Sequence, residues 1–205
     1  MGKRSFFPRL ALVNLVRNSR YYGPYLLSCG ALAAMYYILR FLTWNEVIQT
    51  VRGAAYLQVM MSIGCFVVAL FSTVLLLYAN SFVMKRRQKE LGLYNILGLE
   101  KRHIAALCFW ETLLCAAVVI PGGIAAGILL SKLILLLLLK LVQIPVQFGF
   151  SVSVRGVGET AVLLGVLFLL ALLWNLLRLG RSRPIELLHS DSAGEREPKT
   201  KRLLA

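Results

Sequence analysis

Chemistry in this chain would have to come from few polar groups, since 9 acids stand against 23 lysines and arginines and 59% of the residues are apolar. Glu111 and Lys132 each interrupt a long apolar run. A charge at the bilayer centre costs about 2.5–3.5 kcal/mol on insertion scales, so an acid in such a run has a purpose, either as a structural partner or in a proton relay. Glu111 lies a turn or two into its run, close enough to one face to snorkel, and a structural pair is the favoured reading. Lys132 poses the same question from the opposite side. Enzymatic groups are not visible. There is no His-Glu-x-x-His zinc helix, no Ser/His pair and no pair of carboxylates on facing spans, so no catalytic residue is assigned. His103 and His189 are lone interfacial histidines. Cys29, Cys65, Cys108 and Cys115 sit in or beside apolar runs without Cys-x-x-Cys spacing or a histidine cluster. They read as packing residues, and neither a metal site nor a disulfide framework is expected.

The elements that would position these groups follow from composition. A soluble domain of 205 residues has too little interior for a mean hydropathy of +0.73, so lipid must solvate much of the chain. The net charge of +14 is concentrated in short segments beside apolar runs. That pattern points to anionic lipid of the cytoplasmic leaflet and away from nucleic acid, which needs a folded basic surface. The chain therefore reads as an all-α integral membrane protein with four transmembrane helices, an N-terminal interfacial helix and a cytoplasmic coupling hairpin.

Residues 1–22 carry five cations and no acid, with Leu12, Leu15 and Val16 on one helical face, as in a short helix lying in the headgroup plane. Span one is expected from Tyr25 to Thr43, with Arg40 snorkelling and Tyr36, Tyr37 and Trp44 forming an interfacial belt. Two weak resemblances to processing sites, at Leu26-Leu27-Ser28-Cys29 and Ala31-Leu32-Ala33, fail because Gly23-Pro24 leaves too short an apolar region upstream. Span two is expected from Tyr56 to Met84. Residues 104–139 could form one kinked span or two short spans folded at Pro121-Gly122-Gly123. The distribution of lysine and arginine favours one span, which places both termini and the hairpin in the cytoplasm. Val146 to Val154 alternates like a short extended segment, and the last span is expected from Thr160 to Leu177. Arg183-Pro184-Ile185-Glu186-Leu187-Leu188 begins like a helix before the tail turns into linker. Gly123-x-x-x-Gly127 suits a helix-contact face, or glycines that relieve crowding near a kink.

The segment Lys85 to Leu99 is the basic hairpin between spans two and three. Arg86 and Glu90 are spaced i,i+4 for a pair worth about 0.3 kcal/mol. Leu93, Ile96 and Leu97 form an apolar stripe. Gly92, which costs a helix about 1 kcal/mol relative to Ala, suggests a bend or close backbone approach. Gly98 suits the left-handed residue that ends a helix. From physics alone the segment could also be a positive-inside loop that only fixes orientation.

Arg87-x-x-Glu90-Leu91-Gly92-Leu93-Tyr94-Asn95-x-Leu97-Gly98 resembles the signature after the second helix of an FtsX-like ABC permease half-domain. Leu77-Tyr78-Ala79-Asn80-Ser81-Phe82-x-x-Lys85-Arg86-Arg87 resembles the bacitracin-resistance type, which protects bacteria against antimicrobial peptides. Ala11-Leu12-x-Asn14-Leu15-x-Arg17-Asn18 and Arg183 to Leu188 fit the same pattern. The resemblance implies a division into residues 1–22, a four-helix permease half-domain over 23–180 and a basic cytoplasmic tail or linker over 181–205. It further implies that the chain is an amino-terminal half lacking a larger extracytoplasmic part. A separate cytoplasmic ABC ATPase, acting as a dimer, would bind ATP and push on the hairpin, and this chain itself would bind no cofactor. Matched positions make Arg87, Glu90, Leu91, Gly92, Leu93, Leu97 and Gly98 the residues that couple to that ATPase. Consistently, no Gly-x-x-x-x-Gly-Lys-[Ser/Thr] loop is present. The alternative function is a membrane signalling module that relays conformational change to a sensor histidine kinase or a wall hydrolase.

Overall fold

Without water, a backbone can satisfy its own hydrogen bonds within one segment only as a helix, and the long apolar runs take that form. The computed structural model describes residues 6–45, 49, 53–96, 99–142 and 152–181. Its elements are α1 (Phe6–Arg17), α2 (Ser19–Thr43), α3 (Ala54–Ile96), α4 (Lys101–Val142) and α5 (Val154–Arg181). The last four are long and apolar enough to cross a membrane, as expected of an all-α integral membrane protein. Among the described residues there is no strand.

α2 is the hub. It packs most extensively against α4, then against α3 and α5, while α1 lies mainly along α4. The seam between α2 and α4 is built from small residues. A Cβ added at Gly123 would collide with the Ala33 Cβ and lie 3.0 Å from the Gly30 carbonyl oxygen. At Gly127 it would lie 3.0 Å from the Tyr37 Cβ and 3.1 Å from the Ala34 Cα. In lipid, where apolar side chains gain little by turning inward, such close backbone approach is a main source of helix association. Gly127→Leu is therefore expected to cost about 1–3 kcal/mol of overpacking strain, read as an earlier unfolding midpoint in detergent. Gly122→Ala, where the added methyl meets nothing within 4 Å, should not lower that midpoint and can raise it, since alanine favours the helix by up to about 1 kcal/mol.

Several expectations are corrected. Lys85 to Ile96 do not form an independent hairpin but continue α3, which at 43 residues is about 64 Å long, roughly twice the hydrocarbon thickness. Residues 104–139 form a single span, as the distribution of lysine and arginine favours, and α4 passes through Pro121-Gly122-Gly123 without folding back there. Span one begins earlier than expected. α2 starts at Ser19 and absorbs Gly23-Pro24; the proline withholds a donor from the Arg20 carbonyl, a loss that packed membrane helices tolerate, and the Ser28 hydroxyl donates to the Pro24 carbonyl at 2.8 Å. α5 also starts early. Ser153 caps it, its Oγ accepting from the Gly156 amide at 3.1 Å and its carbonyl from the Val157 amide at 3.0 Å. Val152 and Ser153 are non-helical, whereas Val146 to Ser151 and the tail from Arg183 to Leu188 lie outside the described residues.

Tyr36 and Tyr37 do not belong to an interfacial belt; both are buried among the helices. Arg40 does not simply snorkel but pairs with Glu159 of α5, which Arg155 also approaches at 3.2 Å. The Arg155 guanidinium lies 3.6 Å from the centre of the Trp44 ring. Charge pairing satisfies these groups more fully than solvent at a distant interface would. Leu12 and Val16 are exposed, leaving an open apolar stripe on α1, whereas Ala11 and Asn14 are buried.

A candidate coupling site at the end of α3

One face of α3 carries Leu76, Asn80, Val83, Arg87 and Leu91 at spacings of three and four, and all five are buried. An arginine on that face must find a partner, and α4 supplies it. Glu111 is buried, and the Arg87 Nη1 donates to its Oε2 as an ion pair. Two other helices complete the shell. Asn14 of α1 donates through Nδ2 to Glu111 Oε1 at 3.2 Å. The Tyr22 hydroxyl of α2 accepts from Arg87 Nη1 at 2.6 Å and donates to Glu111 Oε2 at 3.4 Å. The Arg87 Nε reaches Glu90 one turn on, at 3.5 Å. Glu90 therefore turns towards Arg87, and Arg86 lies over the Phe82 ring in place of the expected Arg86–Glu90 pair.

Asn18, which joins α1 to α2, is a residue type that favours helix caps, yet it makes no side-chain cap. It donates to Glu90 at 3.1 Å instead, tying the α1–α2 corner to the end of α3. Asn80 of α3 and Asn175 of α5 exchange reciprocal amide hydrogen bonds of 2.8 and 3.1 Å. Both asparagines line one small cavity with Tyr22 and Glu111, so polar contacts link all five helices at this level.

The remaining expected residues occupy different roles. Leu91 is buried with Met84, Ile104, Cys108 and Leu179, closing the bundle below the charges. Gly92 is buried near the end of α3, and Leu93 on the opposite side is 52% exposed. The Leu99 amide donates to the Tyr94 carbonyl at 3.0 Å, the six-residue bond that closes a helix end. Leu97 and Gly98 lie outside the described residues. The Phe7 and His103 rings stack 5.9 Å apart, and Lys101 donates to the Gly180 carbonyl, so the ends of α1, α4 and α5 are joined here. Lys132 is far along α4, with its ammonium 5.5 Å from the Phe41 ring centre.

A buried arginine with two carboxylates contributes little net stability, because desolvation offsets most of the attraction. Its physical effect is specificity: the two buried charges are paired only when four helices hold one relative position, with Arg87 Nη2 left buried without a hydrogen-bond partner among the described residues. The four cysteines are free and buried, and no cluster of potential metal ligands occurs among the described residues.

Sequence comparison agrees with this architecture. The chain is 30% identical over 171 residues to the bacitracin export permease protein BceB of Bacillus subtilis (strain 168), covering 82% of this chain and 26% of the relative. It is 25% identical over 183 residues to an uncharacterized ABC transporter permease, YvcS, of the same strain, covering 88% and 28%. It is 28% identical over 190 residues to the BceB protein of Halalkalibacterium halodurans, covering 91% and 29%. The chain thus spans about a quarter of the length of these relatives. Residues 62–184, more than half of the chain and including the whole Arg87–Glu111 region, match the FtsX-like permease C-terminal family. The buried charges, the long α3 and the four apolar helices are therefore those of a member of the FtsX-like permease family.

Proposed function

We propose that this chain is the membrane-spanning permease part of an ABC transporter, driven by a separate cytoplasmic ATPase dimer that binds and hydrolyses the ATP. The observation that carries this reading is the end of α3. The helix runs past its apolar stretch, which closes at Gln88, and there presents Leu93 to solvent. Elsewhere on the same turns Arg87 and Leu91 are held to α2 and α4, and Glu90 accepts from Asn18 at the α1–α2 corner. An exposed apolar side chain beyond the membrane suits a docking anchor for a soluble partner. A load applied there would pass into four helices at once, because a packed interior moves in discrete steps and does not yield continuously.

Both termini and the α3–α4 turn lie in the cytoplasm in this reading, on the side where lysine and arginine accumulate. The substrate class proposed from the names of the relatives is a peptide antibiotic of the bacitracin kind. The chain itself holds no cofactor. Arg102, 75% exposed in its side chain at the start of α4, provides the test. An Arg102→Cys variant in intact cells is expected to resist an impermeant maleimide and react after permeabilisation, with the ATPase copurifying. The native cysteines are buried and give little background. Labelling from outside intact cells would defeat the assigned orientation.

A further inference from the structure

A groove of about 570 Å³ runs along the outside of the bundle between α2 and α3. Its walls are mostly apolar and aromatic, including Leu32 and Met35 on α2 and Tyr78 and Phe82 on α3. From Arg20 to Met35 the α2 wall covers about 22 Å, more than the ~15 Å depth of one leaflet in a ~30 Å hydrocarbon core. Charge is confined to one end. Arg20 lines the groove there, and Arg86 lies with its guanidinium 5.3 Å from the centre of the Phe82 ring. Both arginines are exposed, and neither forms an ion pair with another described residue.

A transmembrane helix is a poor match for this shape. It would need small residues opposite Tyr78 and Phe82 and an acid opposite the two guanidiniums. A phosphodiester carrying an acyl chain satisfies both requirements: the phosphate accepts from arginine at one end, and hydrocarbon fills the rest. We infer that this groove holds one anionic glycerophospholipid, with its phosphate between Arg20 and Arg86 and one acyl chain lying between α2 and α3. The site stands apart from the ATPase coupling, since neither arginine belongs to the Arg87–Glu111 cluster.

Native mass spectrometry of the detergent-purified chain, titrated with phosphatidylglycerol or phosphatidylcholine of identical acyl chains, tests the inference. One phosphatidylglycerol should be retained in preference to phosphatidylcholine. Arg20→Gln/Arg86→Gln should weaken that retention by roughly tenfold or more, and Arg9→Gln, an exposed arginine on α1 outside the groove, by less than about twofold. Ala31→Trp, which fills the groove and leaves its charges in place, should also expel the lipid, with helicity measured by circular dichroism confirming the fold. Equal losses for Arg9→Gln, or no preference between the two lipids, would overturn the site as non-specific adsorption. A Ser28→Cys variant that forms a cross-linked dimer through the groove would overturn it in favour of a second copy of the chain.

Discussion

Glu111→Ala unfolds the bundle at markedly lower denaturant, with an expected loss of about 3–5 kcal/mol, because the Arg87 guanidinium then stays buried without its main counter-charge. The cost comes from desolvation of a stranded cation and not from the value of one ion pair. Replacing both partners, as Arg87→Met/Glu111→Leu, should therefore recover most of the loss. Recovery should be incomplete, because Asn14 and Tyr22 also surrender their partners, and each unsatisfied buried group costs about 1–3 kcal/mol. Equilibrium unfolding of Arg87→Met, Glu111→Leu and the double variant forms a thermodynamic cycle in which the double variant loses far less than the sum of the singles. Independent, additive losses would show that Arg87 and Glu111 are not partners in the folded bundle.

Leu93→Glu should act in the opposite way, sparing the fold and removing the proposed ATPase partner. Leu93 is about half exposed, so its replacement disturbs little inside the chain. At a protein interface, however, a buried apolar anchor replaced by a carboxylate costs about 2 kcal/mol or more, some 30-fold in affinity. Copurified ATPase should fall by that factor while thermal unfolding of the permease is unchanged. Leu129→Glu, on the open apolar face of α4, is the contrasting variant. It should impair membrane insertion without a specific effect on ATPase affinity.

Much of this was legible in the residues. The four apolar helices, the short basic helix at the start and the unbroken passage through Pro121 follow from length, hydropathy and charge placement. Glu111 was legible as an acid needing a partner, but the partner was not named. The signal existed: Asn80, Val83, Arg87 and Leu91 share one helical face, and Asn14 and Asn18 share one with Ala11. Reading α1 by its apolar residues selects Leu12, Leu15 and Val16, of which Leu12 and Val16 face outwards. In a lipid solvent large apolar groups can remain outside, while small and polar residues make the contacts between helices. The same inversion explains why Arg87, apparently part of a basic surface, is nearly inaccessible, and why Arg86 beside it is exposed. The early start of α5 was hidden by Arg155, Gly156, Gly158 and Glu159, a composition that resembles a loop. Ser153 as a cap and the pairing of Glu159 with Arg40 make that stretch helical.

The mechanical role of the charge cluster is open to a direct distance measurement at the far ends of the helices. Tyr56 on α3 and Val154 on α5 are both about four-fifths exposed, and spin labels on Tyr56→Cys and Val154→Cys would report their separation by pulsed electron resonance. In the permease assembled with the proposed ATPase, trapping the nucleotide-bound state should shift that distance when Arg87 and Glu111 are present. The shift should vanish in Arg87→Met/Glu111→Leu, even though the double variant folds and still binds the ATPase. An undiminished shift in that variant would contradict transmission through the buried charges.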